Sequence, residues 1–256
     1  MIKQFVGPCG TTLACVQERE AAFLYQKIFV EEEYGNVLNT KSDLILDIGG
    51  NIGAFAKYAA MKCGPGSEIW SFEPMPPLVE CLRLNTRPQD KVFGVAISDT
   101  ASKVELEYLP NYTLLSGSKA SSYMESYKKA DRTNADADID TAFIAQRFEV
   151  SALPLSEICR PLVESGRRIS LLKIDCEQME AKVVDGVGDD VWKIIDAVVL
   201  EVHDVGDRIE TIQEKLESKN FSVTIGNLAP PCFLLGEGST SQELNTCLMT
   251  AHINRY

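Results

Sequence analysis

The chain has 256 residues, of which 45% are hydrophobic, and 37 acidic residues against 25 basic ones give a net charge of −12. This balance disfavours nucleic acid and anionic membranes as partners, and no apolar run reaches the roughly 18 residues of a membrane-spanning helix. The N-terminus lacks the pattern of a secretory signal. We therefore expect a soluble, cytoplasmic protein whose eight cysteines are reduced thiols, without a disulfide framework or a zinc site.

The order of predicted elements indicates one large α/β domain behind a short N-terminal segment. Residues 1–42 are predicted as an N-terminal helical cap segment with a helix over Glu18–Glu33, and residues 43–256 as a Rossmann-like domain. Its seven predicted main strands are Leu44–Ile48, Glu68–Phe72, Lys91–Ile97, Ile169–Ile174, Ile194–Val202, Phe221–Ile225 and Thr246–Ile253. The helices predicted between them are Ala54–Met61, Pro76–Asn85, Pro154–Glu164, Met179–Val187 and Asp207–Ser218. This alternation predicts a doubly wound, mostly parallel seven-stranded sheet.

A polar stretch interrupts the alternation in the middle of the chain. Strand patterns at Val104–Tyr108 and Gln146–Ala152 flank residues 110–141, which are polar and show no strong periodicity. Such a long segment inside a compact domain is either a functional lid or mobile loop, or a solvated insertion without a role.

Carboxylates follow the ends of several predicted strands. In open α/β sheets, ligands bind outside the carboxyl ends of the strands, so side chains at these positions are expected to share one site. The polar residues at these strand ends are Asp47, Glu73, Asp99, Asp175, Glu201 and His203.

The turn after the first strand carries the main cofactor signal. It reads Asp-Ile-Gly-Gly-Asn-Ile-Gly over residues 47–53, and Gly49 and Gly53 allow the backbone to approach a ligand closely. This spacing differs from the GxGxxG of dinucleotide sites, and the carboxylate of Asp47 suits the α-ammonium of a methionine moiety better than a phosphate. Glu73 lies 20 residues beyond Gly53, where an acidic side chain can accept hydrogen bonds from ribose hydroxyls. The pattern therefore predicts a site for S-adenosylmethionine.

Residues 46–53 followed by Phe72-Glu73-Pro74 resemble the cofactor half of class I methyltransferases, and specifically the FkbM family, named after a macrolide O-methyltransferase. Three further motifs of that family resemble residues 28–34, 95–99 and 172–186 of this chain. The motif at residues 172–186 is the family signature K-x-D-x-E-G-x-E, followed by a later glycine. Gln178 departs from the signature, because the family usually has glycine there. The resemblance implies cofactor contacts from Asp47, Gly49, Gly50, Asn51, Gly53, Glu73, Pro74, Ala96 and Asp175.

The second half of the domain supplies the candidate catalytic residues. Glu201 and His203 lie two residues apart on one strand and therefore share a face, while Asp175 and Glu177 follow the preceding strand. We predict that His203 is the general base, oriented by Glu201 or Glu177, because the pKa of histidine lies near working pH. Alternatively, these four side chains hold Mg²⁺ or a similar ion, the histidine is structural, or the carboxylates stabilise a helix N-terminus.

Together these features predict an S-adenosylmethionine-dependent O-methyltransferase acting on a hydroxyl of a small molecule. The acceptor is expected to be a natural product, a polyketide or peptide intermediate, or a sugar, and is either free or bound to a carrier. The alternatives are an NAD-dependent oxidoreductase and a catalytically inactive binding domain of the same fold. The chain is either free-standing or a domain excised from a larger synthase.

Overall fold

The computed structural model describes residues 1–118, 145–227 and 245–254, and it contains twelve strands within those ranges. In chain order, β1 to β6 are Lys3–Val6, Thr12–Cys15, Leu44–Ile48, Glu68–Phe72, Lys91–Phe93 and Ala96–Ile97. Strands β7 to β12 are Ser102–Tyr108, Gln146–Leu153, Leu171–Ile174, Ala197–His203, Phe221–Ile225 and Thr246–Ile253.

Eight α-helices lie in the same described ranges. In chain order, α1 to α8 are Glu18–Tyr25, Ala54–Cys63, Pro76–Asn85, Leu155–Ile158, Arg160–Ser165, Glu180–Gly186, Asp189–Trp192 and Arg208–Ser218. None of these helices is both long and apolar enough to cross a membrane.

The central sheet has seven strands in the order β11-β12-β10-β9-β3-β4-β5. Strands β10, β9, β3, β4 and β5 pair in parallel, and β12 runs antiparallel to both β10 and β11. The predicted fold class is confirmed, including the mostly parallel sheet and the number of main strands. Parallel strands need long crossovers, and the helices between them supply these connections.

Apolar side chains cover both faces of this sheet, which is why its inner strands read as nearly continuous hydrophobic runs. Leu44, Leu46 and Ile48 of β3 belong to one buried cluster, whereas Ile45 belongs to a second cluster on the other face. The second cluster also contains side chains from β2, α1, α2 and α3, so the N-terminal segment shares the core of the domain.

The structure corrects three details of the predicted elements. The strand predicted at Lys91–Ile97 is broken around Gly94: β5 stays in the central sheet, and β6 joins a second sheet of order β6-β8-β7. A glycine inside a strand weakens pairing and allows the chain to leave one sheet and join another.

The helix predicted over Glu18–Glu33 is α-helical to Tyr25 and continues as a π-helical turn, Gln26–Val30. A hairpin of β1 and β2 precedes it.

Candidate active site

A cavity of about 740 Å³ lies at the carboxyl ends of β3, β4 and β9. Its volume is within the range of about 300–1,000 Å³ found for small-molecule sites. Seven of the residues predicted for the site line it: Gly49, Asn51, Glu73, Pro74, Ala96, Asp175 and Glu177. The lining does not include five other residues predicted for the site, which are Asp47, Gly50, Gly53, Glu201 and His203.

The glycine turn after β3 is packed against the turn after β9. Gly49 has a φ of +78°, and a Cβ atom there would lie 1.7 Å from the backbone oxygen of Asp175. The amides of Gly49 and Gly50 both donate to the carbonyl of Phe72 at the end of β4, at 3.0 and 2.9 Å. A Cβ on Gly53 would lie 2.8 Å from Leu82 Cδ1 on α3. The glycines therefore allow the turns and helix to meet, and Gly49 alone of the three lines the cavity.

Glu73 is held in one orientation at the end of β4. Its Oε2 accepts a hydrogen bond from the amide of Asn51, and its Oε1 accepts one from the amide of Met75, both at 2.9 Å. Only 5% of the residue is exposed, and burial raises the pKa of Glu73 to about 7 against the opposing effect of the two amides. Each oxygen keeps a second lone pair, so the carboxylate can accept further hydrogen bonds from a ligand in the cavity.

Asp47 lies beneath the turn and is fully buried. Its Oδ1 lies 3.1 Å from Nζ of Lys173, and its Oδ2 accepts a hydrogen bond of 3.1 Å from the Ser71 hydroxyl. Burial would lower the pKa of Lys173, but the carboxylates of Asp47 and Asp175 outweigh this effect and raise it. The predicted direct contact between Asp47 and a ligand ammonium does not fit this placement, because the carboxylate already neutralises Lys173 inside the sheet.

The turn after β9 adopts a conformation that favours glycine. Glu177 and Gln178 both have positive φ, +45° and +69°. The left-handed region is unfavourable for residues with a side chain, and this explains a glycine preference at position 178. The amide of Gln178 donates to Glu180 Oε1 at 2.8 Å, so the turn is kept despite the substitution. It directs Glu177 to the cavity wall.

His203 belongs to a buried charge network with Glu177, Glu180 and Arg208. Its Nδ1 lies 2.7 Å from Glu180 Oε1, its Nε2 lies 3.5 Å from Glu177 Oε2, and Arg208 Nη1 lies 3.0 Å from Glu180 Oε2. Burial would lower the pKa of His203, but Glu177 and Glu180 together raise it to about 10. The ring is therefore an imidazolium near neutral pH, which argues against the predicted role as general base. A protonated ring has no lone pair with which to accept a proton.

Glu201 has a different partner from the one predicted. Its Oε1 accepts a hydrogen bond of 2.9 Å from the Thr246 hydroxyl on β12, and burial with the nearby carboxylates of Asp175 and Glu177 raises its pKa to about 8. The carboxylates that contact the His203 ring are Glu180 and Glu177.

The metal alternative finds no support in these residues. Within residues 1–118, 145–227 and 245–254, no three His, Cys, Asp or Glu side chains are grouped so that they could hold a metal ion. Of the four predicted ligands, His203 directs both ring nitrogens towards carboxylates, and Asp175 lies 3.3 Å from the Lys173 ammonium.

The N-terminal helix contributes to the cavity wall through Leu24. This helix and the residue before it are also bonded to the first part of the predicted lid: Gln17 Nε2 donates to the Pro110 carbonyl at 2.8 Å, and the Thr113 hydroxyl donates to Glu20. Residues 113–118 supply several lining side chains. The remainder of the predicted lid, residues 119–141, lies outside the described residues, so its role stays a prediction.

Three residues of the site were not assigned a role from the sequence. Lys173 and Glu180 were visible as the lysine and the last glutamate of the K-x-D-x-E-G-x-E signature, but neither was given a catalytic or binding role, and Arg208 gave no signal. Their importance depends on contacts between residues far apart in sequence, such as the 124 residues that separate Lys173 from Gly49.

The doubly wound sheet, the glycine turn after its first parallel strand and the acidic residue at the end of the next strand define a class I methyltransferase fold. The family model "Methyltransferase FkbM domain" matches residues 47–223. The chain therefore belongs to the FkbM family of S-adenosylmethionine-dependent methyltransferases, as its sequence motifs predicted. The match favours methyl transfer over the oxidoreductase alternative.

Three relatives show how far the similarity extends. The 31-O-demethyl-FK506 methyltransferase FkbM of Streptomyces tacrolimicus is 34% identical over 231 residues, covering 84% of this chain and 87% of the relative. Methyltransferase sdnD of Sordaria araneosa is 30% identical, covering 82% and 85%. The AMB antimetabolite synthetase AmbE of Pseudomonas aeruginosa is 30% identical over 85% of this chain, which corresponds to 11% of AmbE.

Proposed function

We propose that this protein binds S-adenosylmethionine in the 740 Å³ cavity and methylates a hydroxyl group of a small molecule. The observation that carries the cofactor assignment is Glu73, whose two oxygens are fixed by backbone amides at the cavity wall. Its remaining lone pairs suit two neighbouring ribose hydroxyls. The close-packed turn at Gly49 fits the same cofactor, because it leaves backbone atoms rather than a side chain at the wall.

Asp175 and Glu177 form the part of the cavity wall that follows β9. We assign the amino-acid part of the cofactor to the wall of Gly49 and Asp175. When bound, the cofactor supplies a sulfonium-activated methyl group. Since such a donor is already reactive, the protein contributes mainly by aligning the acceptor and by removing its proton.

Glu177 replaces His203 as the proposed proton acceptor. It lines the cavity, and burial raises the pKa of its carboxyl, which brings it closer to working pH. The charged ring of His203 behind it limits this rise and holds the carboxylate in place. Glu177 thus takes the hydroxyl proton as the acceptor oxygen takes the methyl group, and the products are an ether and the thioether form of the cofactor.

The nature of the acceptor is inferred from charge and from the relatives. Four acids, Glu73, Glu105, Asp175 and Glu177, line the cavity together with two cations, Lys182 and Arg208. This excess of acids over cations disfavours a carboxylate as the methyl acceptor. The name of the Streptomyces relative specifies methylation of 31-O-demethyl-FK506, and AmbE, named as an antimetabolite synthetase, contains a similar segment. A neutral hydroxyl of a natural product, free or carrier-bound, is the substrate class that these observations favour.

Calorimetric titration with S-adenosylhomocysteine tests the cofactor assignment, with NAD as the control ligand and with EDTA and Mg²⁺ in parallel. We expect micromolar binding of S-adenosylhomocysteine, no binding of NAD and no effect of Mg²⁺. A screen of hydroxylated small molecules with labelled cofactor, free and carrier-linked, then tests the acceptor class. Binding of NAD alone, or methylation of amines and not hydroxyls, would contradict the proposal.

A further inference from the structure

Lys173 is a deeply buried cation at the site, with a side chain only 3% exposed in the middle of β9. Its Nζ lies 3.1 Å from Asp47 Oδ1, 3.3 Å from Asp175 Oδ2 and 3.1 Å from the carbonyl oxygen of Gly49. The Gly49 carbonyl accepts a hydrogen bond from this ammonium, and the carboxylates of Asp47 and Asp175 form ion pairs with it. The side chain is therefore held from three directions.

The three acceptors come from strand β3 and from the turns that follow β3 and β9. Asp47 lies in β3 beneath the glycine turn, whereas Gly49 and Asp175 belong to the two turns and both line the cavity. The turns also touch directly, because the Asp175 backbone oxygen occupies the space where a Cβ of residue 49 would lie, and the Asp175 amide donates to the Ile48 carbonyl at 3.0 Å. Lys173 thus links the part of each turn that faces a ligand.

A role limited to neutralising Asp47 does not explain this arrangement. A buried counter-ion for Asp47 needs one contact, and here two of the three contacts are made to groups of the cavity wall. The carboxylate of Asp175 is partly exposed, at 29%, so one of its oxygens is anchored by Lys173 while the group still reaches the cavity.

We propose that Lys173 is a positioning residue for cofactor binding, whose ammonium holds the Gly49 carbonyl and the Asp175 carboxylate against the amino-acid part of S-adenosylmethionine. This inference rests on the proposed function. The proposal predicts that the loss of Lys173 lowers the affinity for ligands that carry the amino-acid part of the cofactor. The affinity for ligands that carry only the nucleoside part is expected to stay the same.

The test compares two ligands, S-adenosylhomocysteine and 5′-methylthioadenosine, since the second keeps the nucleoside and lacks the amino-acid part. The variant is K173M/D47N, which removes the cation and its most buried partner together so that no uncompensated charge remains between them. The asparagine introduced at position 47 can still accept the hydrogen bond from Ser71. The matched control is R87M/D90N, which removes an ion pair of 2.9 Å whose aspartate is 1% exposed and whose residues do not line the cavity.

Thermal unfolding establishes that both variants are folded at the temperature of the titrations. For K173M/D47N we expect the Kd of S-adenosylhomocysteine to rise at least tenfold, while the Kd of 5′-methylthioadenosine stays within about threefold of the wild-type value. For R87M/D90N both values stay within threefold. Wild-type affinity of K173M/D47N for S-adenosylhomocysteine overturns the positioning role, and so does an equal loss for both ligands.

A second variant keeps the test decisive if K173M/D47N does not fold. Lys173→Arg keeps the charge, but its planar fork cannot direct three donors from one nitrogen. We expect at least a fivefold rise in the Kd of S-adenosylhomocysteine and no change for 5′-methylthioadenosine, and unchanged affinity for both overturns the proposal. Failure of the wild-type protein to bind either ligand overturns the proposed function itself, which separates the two results.

Discussion

The charge state of His203 provides a direct test of the buried network at the site. Its ring contacts Glu180 through Nδ1 at 2.7 Å and Glu177 through Nε2 at 3.5 Å. Both carboxylates favour the imidazolium form, and they outweigh the burial that opposes it. We therefore expect both ring nitrogens to carry protons at neutral pH.

The size of the effect follows from the pKa of His203, which rises from an ordinary value of 6.5 to about 10. At about 1.4 kcal/mol for each pKa unit, this corresponds to roughly 5 kcal/mol in favour of the charged ring. The folded-state pKa lies above the unfolded one, so the stabilisation is fully present below pH 6.5 and is lost as pH rises to 10. The free energy of unfolding therefore falls across this window.

Nitrogen-15 NMR of the histidine side chains measures this pKa directly, because the chain contains only two histidines. His252 on β12 gives the second signal, and a His252→Gln variant assigns it. We expect the His203 signals to titrate near pH 10. In Glu177→Gln, which removes one of the two anionic partners, the midpoint falls by about 1–2 units, since a hydrogen bond to a charged group contributes about 1.5–3 kcal/mol.

A His203 midpoint below pH 7 in the wild-type protein would refute this reasoning and would restore His203 as a candidate general base. An unchanged midpoint in Glu177→Gln would show that Glu177 does not stabilise the charged ring. The assignment of Glu177 as proton acceptor would then lose its structural support.

Three further predictions concern the cavity wall. Gly49→Ala places a carbon 1.7 Å from the Asp175 oxygen, and urea denaturation should show a loss of about 3 kcal/mol or more, with no S-adenosylhomocysteine binding. Gln178→Gly relieves a φ of +69° and should raise the free energy of unfolding by about 1 kcal/mol; no gain would argue against strain there. Because the pKa of Glu73 is about 7, calorimetry should show affinity for S-adenosylhomocysteine falling below that pH, whereas a flat profile would remove Glu73 from ribose binding.

The order of secondary structure was predictable because its signals are local. Apolar runs, glycine-rich turns and helical periodicity identified all seven strands of the central sheet. The errors lie where local patterns are ambiguous. Residues 91–97 read as one strand, but β5 and β6 pair with different sheets, and pairing partners are not encoded in the apolar pattern of a single segment.

The location of the site was predictable for a related reason. Parallel strands end at the same edge of a sheet, so the polar residues at the carboxyl ends of β3, β4 and β9 had to converge. The sequence could not show which of them face the cavity. Asp47 and Glu73 occupy similar positions in the pattern, yet Asp47 pairs with Lys173 inside the sheet, and Glu73 lines the cavity.

By itself, the sequence determined the fold class, the family, the glycine turn and the set of acidic residues at the strand ends, because each of these features depends on a short stretch of neighbouring residues. Only the tertiary structure decided their chemical states. His203 was chosen as a base from its ordinary pKa, but that pKa depends on burial and on two carboxylates brought within 2.7 and 3.5 Å. Desolvation and Coulomb interactions depend on distances in three dimensions. These distances keep the His203 ring protonated and place Glu177 at the cavity wall.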